Sequence, residues 1–170
     1  MDAVKEINSE MRQIAYGWLD KDRNRYKKLD GFDEKYILQV PHQLLESKLG
    51  VCWDRVELER KLFTEKKIKT SSYFIVHYGR DKCPTHTFIL FKHIGKTYWY
   101  EHSWTPMRGI HEYKNENDAL KDIRAKFIDN ELQGKYNPNN LMIYKYTAPN
   151  KNLSCSEFFD HCKKGEVIKL

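Results

Sequence analysis

THTFILFKHIGKTYWYEHSW, residues 85–104, decides the architecture. Phe88 to Phe91 is an unbroken apolar run, and THTFILF (85–91) as a whole reads as a strand covered on both faces. Gly95 breaks it, and the β-favouring types resume in YWYE, so the stretch predicts a hairpin turning around Gly95. His86 stands at the start of one arm and Glu101, 15 residues on, in the other. Two antiparallel strands joined by a short turn bring such residues side by side.

Working outward, SSYFIVHYG (71–79) and LMIYKYT (141–147) add strands, the first ending at a glycine. NENDALKDIRAKFIDNELQG (115–134) is helical, with Leu120, Ile123 and Phe127 on one face and Gly134 just past its end. Ser154 and Glu157 form a capping box that opens a last helix stopping near Gly165. Upstream the pattern is helical. Val4, Ile7, Met11, Ile14 and Trp18 recur at spacings of three and four, predicting a helix through the first twenty or so residues, in a region closed by LDG (29–31). VPHQLLESKL (40–49) is a short helix entered through Pro41, and Cys52 to about Phe63 is the next, with Asp54 and Glu57 in its early turns. There is no internal repeat, low-complexity tract or linker. The expectation is one α+β domain over residues 1–170, helices first and antiparallel sheet after.

A chain of 170 residues with 40% apolar and 32% charged residues suits one domain with a real core. No run approaches the roughly 18 apolar residues that span a bilayer, and MDAVKEINSEMRQ has no apolar signal core. A cytoplasmic protein without a membrane partner is expected, its four cysteines free thiols. The net charge of +6 and the pI near 9.0 come from dispersed lysines, whose densest run, KLFTEKKIK (61–69), closes a helix where cations suit the dipole. Nucleic acid is therefore not the expected partner. Cys83 and His86, with Cys155, His161 and Cys162, supply enough ligands for zinc. A tight C-x-x-C pair is missing, however, and Cys155 and Cys162 lie two helical turns apart on one face. No metal and no cofactor are expected.

The chemistry points to KLGVCWDRVELER (48–60). Cys52 follows a glycine by two positions at a helix start, where the positive end of the dipole favours thiolate. A cysteine nucleophile also needs a base and a group to orient that base, and His86 and Glu101 follow in that order. Singly, each has a plain reading. Cys52 shares an apolar stripe with Leu49, Trp53, Val56 and Phe63, His86 alternates with Phe88 and Leu90, and Glu101 alternates with Trp99 and Ser103. Together, a buried cysteine, histidine and acid each need a partner. His102 competes with Glu101 for the orienting role. Tyr98, Trp99, Tyr100 and Trp104 read as sheet core and cleft wall, and His42, His77, His93 and His111 as surface or core residues.

GVCWD (50–54), THTFILF around His86 and YWYEHSW around Glu101 resemble the transglutaminase-like superfamily, and this chain is similar to its small bacterial-type members. The resemblance covers roughly residues 48–104. It implies a papain-like core, with the cysteine at a helix N-terminus and histidine and acid on successive strands. Glu101 stands where the family usually has aspartate. The implied chemistry is acyl transfer on an amide or isopeptide bond of a peptide or protein. Cys52 attacks, His86 shuttles the proton, Glu101 holds the tautomer, and the Cys52 backbone N–H is one oxyanion donor. Gln39, Gln43 and Trp18 are candidates for the second donor, and Trp53 is a further accessory residue. Water as acceptor makes a thiol hydrolase or peptidase, an amine makes a cross-linking enzyme, and the small intracellular members favour the hydrolase. The rival reading, from another class, is a binding module that keeps the fold without activity, suggested by the glutamate in third place.

Overall fold

Helix α1 (Asp2–Met11) leads into a two-stranded ribbon of β1 (Trp18–Leu19) and β2 (Arg25–Tyr26), then the single-turn α2 (Phe32–Lys35), α3 (Pro41–Ser47) and α4 (Cys52–Glu65). The sheet strands follow as β3 (Thr70–His77), β4 (Thr85–His93), β5 (Lys96–Glu101) and β6 (Gly109–Tyr113), with α5 (Glu116–Glu131), β7 (Leu141–Tyr146), α6 (Cys155–Lys163) and β8 (Glu166–Val167) closing the chain. The computed structural model describes residues 1–79, 81 and 83–170. Among them the large sheet has six strands, wholly antiparallel, in the order β6-β5-β4-β3-β7-β8.

The predicted hairpin is β4–β5. Ile94 and Gly95 both take positive φ, 45° and 71°, the mirror-image turn whose twist matches that of paired strands. Both faces of the sheet are covered, as the apolar run in β4 requires. On one, Tyr73, Ile75, Phe88, Leu90 and Trp99 pack with Ile123 and Phe127 of α5. On the other, Phe74 and Val76 meet Trp53 of α4 and Phe158 of α6, while Ile89, Phe91 and Tyr100 meet α1 and the later turns of α4. The predicted capping box forms, Ser154 and Glu157 exchanging bonds at the start of α6, and at the start of α5 Asn115 accepts from the Asp118 N–H.

The first helix departs from expectation. It ends at Met11, and Ile14 and Trp18 are buried beyond its end. The stripe continues in burial but not in helix. Ala15 bridges to Leu49, and a Cβ on Gly17 would stand 2.5 Å from the Tyr26 carbonyl, so the chain must run extended there. Trp18 then stacks on Tyr26 at 4.2 Å between centroids. The ribbon, α2, β6 and β8 are further elements too short or too polar to show a period.

Candidate active site

Cys52 is the first residue of α4, and the fold fixes that position from three sides. Asp54, fully buried, accepts the Val51 N–H at 3.0 Å through Oδ2, and the Gln39 N–H at 2.9 Å and the Tyr36 hydroxyl at 2.8 Å through Oδ1. Burial pushes its carboxyl up to about 7 despite those donors. Gly50 lets α3 approach, because a Cβ there would meet Leu44 Cδ1 at 2.7 Å and Asp54 Cβ at 3.0 Å. Trp53 Nε1 donates to Thr85 Oγ1 at 3.3 Å, tying the start of α4 to the start of β4, one residue from His86.

The hairpin brings His86 and Glu101 together at that same end of the sheet. His86 Nε2 lies 2.7 Å from Glu101 Oε2, with both side chains buried. Glu101 Oε1 accepts the Ser103 and Trp104 N–H groups, each at 2.8 Å. The last β4–β5 pair on this side is Ile89 with Tyr100. Continuing that register sets Phe88 opposite Glu101 and His86 opposite Ser103, so Glu101 reaches the imidazole along a diagonal. A diagonal is a long-side-chain contact, which gives the extra methylene of glutamate a geometric role.

With Nε2 held by Glu101, Nδ1 is the ring nitrogen left for Cys52, which is close enough to the imidazole to raise its pKa. Burial alone would lower the His86 pKa. The Glu101 charge and the bonds to Cys52 and Glu101 outweigh it, and the imidazole stands well above its ordinary value. The shift favours the charged ring beside the sulfur. Thiol, imidazole and carboxylate are thus gathered at one end of the sheet.

Cys52 opens onto a cleft of about 410 Å³ lined by Tyr16, Phe32, Asp33, Thr85 and Phe159 among others. Tyr16 was not singled out by the sequence, because it lies off the apolar stripe of the N-terminal segment. Its phenol is pushed up to about 12 by burial and by the neighbouring Cys52, so it remains a protonated donor on the cleft wall. The Cys52 N–H belongs to the first turn of α4, where backbone donors have no intrahelical acceptor.

The accessory residues fall elsewhere. His102 Nδ1 lies 3.4 Å from Arg55 Nη1, and burial and the two flanking arginines, Arg55 and Arg108, push its pKa down to about 4. It is neutral and paired to α4, so it does not compete for His86. Gln43 Oε1 accepts the Val40 N–H at 3.0 Å and an Asn152 Nδ2–H at 2.6 Å, capping α3. Gln39 spends its amide on Leu49 O and Ser47 Oγ, and Trp18 Nε1 donates to Lys28 O. None of these three lines the cleft at Cys52. Trp53 lines the cleft, but it is chiefly the hub of an aromatic cluster, stacked on Phe158 at 4.4 Å.

The zinc ligands do not converge. Cys155 and Cys162 are buried in the core with Trp53, and His161 Nε2 donates to Thr147 O. Among the described residues no group of three His, Cys, Asp or Glu side chains is placed to hold a metal ion, and no helix is long and apolar enough to cross a membrane. His77 Nε2 accepts the Asn137 N–H and His111 Nε2 bonds Met107 O, both structural contacts. No family model matches the chain, and neither does any curated protein.

Proposed function

We propose that the protein is a cysteine-dependent acyl-transfer enzyme, a thiol hydrolase acting on amide or isopeptide bonds, with Cys52 as nucleophile, His86 as acid–base and Glu101 as orienting carboxylate. The observation that carries this reading is the His86 ring, held by Glu101 at 2.7 Å with Cys52 as its neighbour acting on its pKa. The resemblance of residues 48–104 to the transglutaminase-like superfamily, with its papain-like core, agrees with it.

The Cys52 thiolate, stabilised by the adjacent imidazolium and the helix end, attacks the carbonyl carbon and forms the C–S bond. The developing oxyanion takes the Cys52 N–H and the Tyr16 hydroxyl as donors. His86 gives its proton to the leaving amine as the C–N bond breaks. Water then attacks the thioester, His86 accepts its proton, and the C–S bond breaks to release the acid and restore the Cys52 thiolate beside the protonated His86. Glu101 keeps the ring in the orientation both steps need.

Profiling with a thiol-reactive amide probe tests this. Wild type should label at Cys52, and Cys52→Ala should lose that labelling. His86→Ala, shown by circular dichroism to be folded, should label at least about tenfold more slowly, the scale of one lost acid–base contribution. Labelling of Cys52 that is unchanged without His86 would leave the fold as a binding module.

A further inference from the structure

A cavity of about 460 Å³ adjoins the Cys52 cleft. Tyr16 belongs to both linings, with Cys52 on one side of it and Arg55, Ser103, Thr105 and Arg108 on the other. Cys52 and Arg55 stand three residues apart on α4, a spacing that puts side chains on one helix face with Cβ atoms about 5–6 Å apart. We propose, resting on the reading of Cys52 as nucleophile, that this cavity binds a carboxylate of the substrate, close to the amide under attack.

The positive charge in this cavity has no counter-ion. Among the described residues neither Arg55 nor Arg108 pairs with a carboxylate, and no acidic residue stands in the lining. Arg55 is 2% exposed. Its Nε donates to Gly50 O and its Nη2 to Ile14 O, each at 3.1 Å, and its guanidinium lies 5.9 Å from the centre of the Tyr16 ring. Ile14 and Tyr16 both line the cavity, so the charged end of Arg55 borders it. Arg108 is exposed, and its side chain makes one hydrogen bond among the described residues, from Nε to His102 O at 3.0 Å. Four N–H groups of its fork remain. His102 also meets Arg55, through Nδ1 at 3.4 Å from Nη1, so the two guanidinium groups converge on one residue. Burial pushes the Arg55 pKa down and Arg108 adds to it, against Glu59 and Cys52. Glu59 is a weak counter-ion, because burial holds it well above the ordinary carboxyl range. A carboxylate on the ligand supplies the missing charge.

The cleft on the Cys52 side of Tyr16 has the opposite sign. Asp33, Asp81 and Glu131 line it, and among the described residues no basic side chain does. A substrate anion is repelled there and drawn to the arginines, which sets the direction in which an amide lies across Cys52. A planar carboxylate also matches the free fork of Arg108, which can bind it through two parallel N–H bonds. Arg55 is less than one helical turn from Cys52, so the bound carboxylate lies near the scissile bond. Two sources present such a group: the α-carboxylate of a C-terminal residue, and the side chain of an aspartate or glutamate beside the bond.

Titration of the full chain with N-acetylglycine, N-acetylglycinamide and the α-amide of N-acetylglutamate, followed in ¹H–¹⁵N spectra, tests the proposal. The first probe has a terminal carboxylate, the second none, and the third a side-chain carboxylate alone. Saturable shifts at the Ser103, Thr105 and Arg108 amides are expected from a carboxylate probe, with the neutral amide at least about tenfold weaker. Tighter binding of N-acetylglycine assigns a C-terminal carboxylate, tighter binding of the glutamate derivative an acidic side chain, and equal binding a site that reads the carboxylate alone. The bound carboxylate should also slow alkylation of Cys52 by iodoacetamide, and Arg108→Gln should weaken both effects about fivefold or more. Equal binding of the neutral amide, no saturation by about 50 mM of either carboxylate, shifts without protection of Cys52, or full binding by Arg108→Gln would overturn it. Carboxylate-specific shifts in a protein whose Cys52 alkylates no faster than Cys155 and Cys162 would instead overturn the nucleophile and leave the carboxylate site in place.

Discussion

Cys52 illustrates how little one residue says by itself. Its place on an apolar stripe suits core packing, yet a nucleophile at a helix end facing a sheet occupies such a stripe too. The other thiols supply the contrast. Burial pushes Cys155 up to about 12 and Cys162 higher still, so at neutral pH both are protonated and poor nucleophiles. Iodoacetamide at pH 7, read by peptide mass spectrometry, should therefore modify Cys52 at least about tenfold faster than either. Equal rates at the three sites would sink the assignment. Glu101 is tested at the same scale. Glu101→Asp shortens a side chain that must bond His86 while accepting two backbone N–H groups. Along the diagonal set by the register, both sets of bonds cannot be kept. Cys52 labelling should slow several-fold in Glu101→Asp, and Glu101→Gln should slow it further by removing the charge that raises the His86 pKa. A rate unchanged by the aspartate would mean that the extra methylene has no role.

At the scale of elements, α4 carries the argument. Its position rests on Asp54, which caps the first turn and draws in the segment at Gln39 and the Tyr36 hydroxyl. Asp54→Ala removes the helix cap and strands two further buried donors, so it should cost about 2–4 kcal/mol, measured by urea unfolding. A loss within about 0.5 kcal/mol would show that the cap is dispensable. The sequence predicted α3, α4, α5, α6 and the strands at 71–79, 85–91 and 141–147 because each has a run, a period or a capping signal of its own. It also placed His86 and Glu101 together, because a short hairpin leaves few alternatives. It overextended the first helix because Ile14 and Trp18 are buried for tertiary reasons while keeping a helical spacing. The failures of Gln39, Gln43, Trp18 and His102 share one cause. Each is a polar group whose partner lies far along the chain or in the backbone, as with Asn152 for Gln43, and spacing carries no trace of such a partner. Tyr16 was missed for the converse reason. It lies off the buried stripe, so it has no period, but the fold sets it in the same cleft lining as Cys52.

For the molecule as a whole, the formal charge of +6 assumes that every carboxylate is ionised. The fold violates this around Cys52, His86 and Glu101. Glu59 is 2% exposed on α4, and burial, reinforced by Glu101, holds it well above the ordinary carboxyl range, against Arg55 and His86, which favour its charge. The raised pKa values of Glu59 and His86 both shift the folded chain toward more positive charge than its composition implies. Stability then depends on pH in a definite direction. Below the unfolded value of Glu59, near 4.5, both states carry its proton and burial costs nothing extra. Between that value and the raised folded one, the unfolded chain has lost a proton that the folded chain keeps, so stability falls as pH rises. His86 acts in the same direction at higher pH, because the stability from its pairing with Glu101 is complete below about 6.5 and is lost as pH rises through its raised folded value. Glu59→Gln keeps the shape and removes the ionisation. In thermal melts from pH 4.5 to 8.5 the variant should match wild type at the acid end and exceed it increasingly above. A gap of constant size would mean that the substitution acts through packing, and a gap that widens toward acid would mean that Glu59 is ionised in the folded protein.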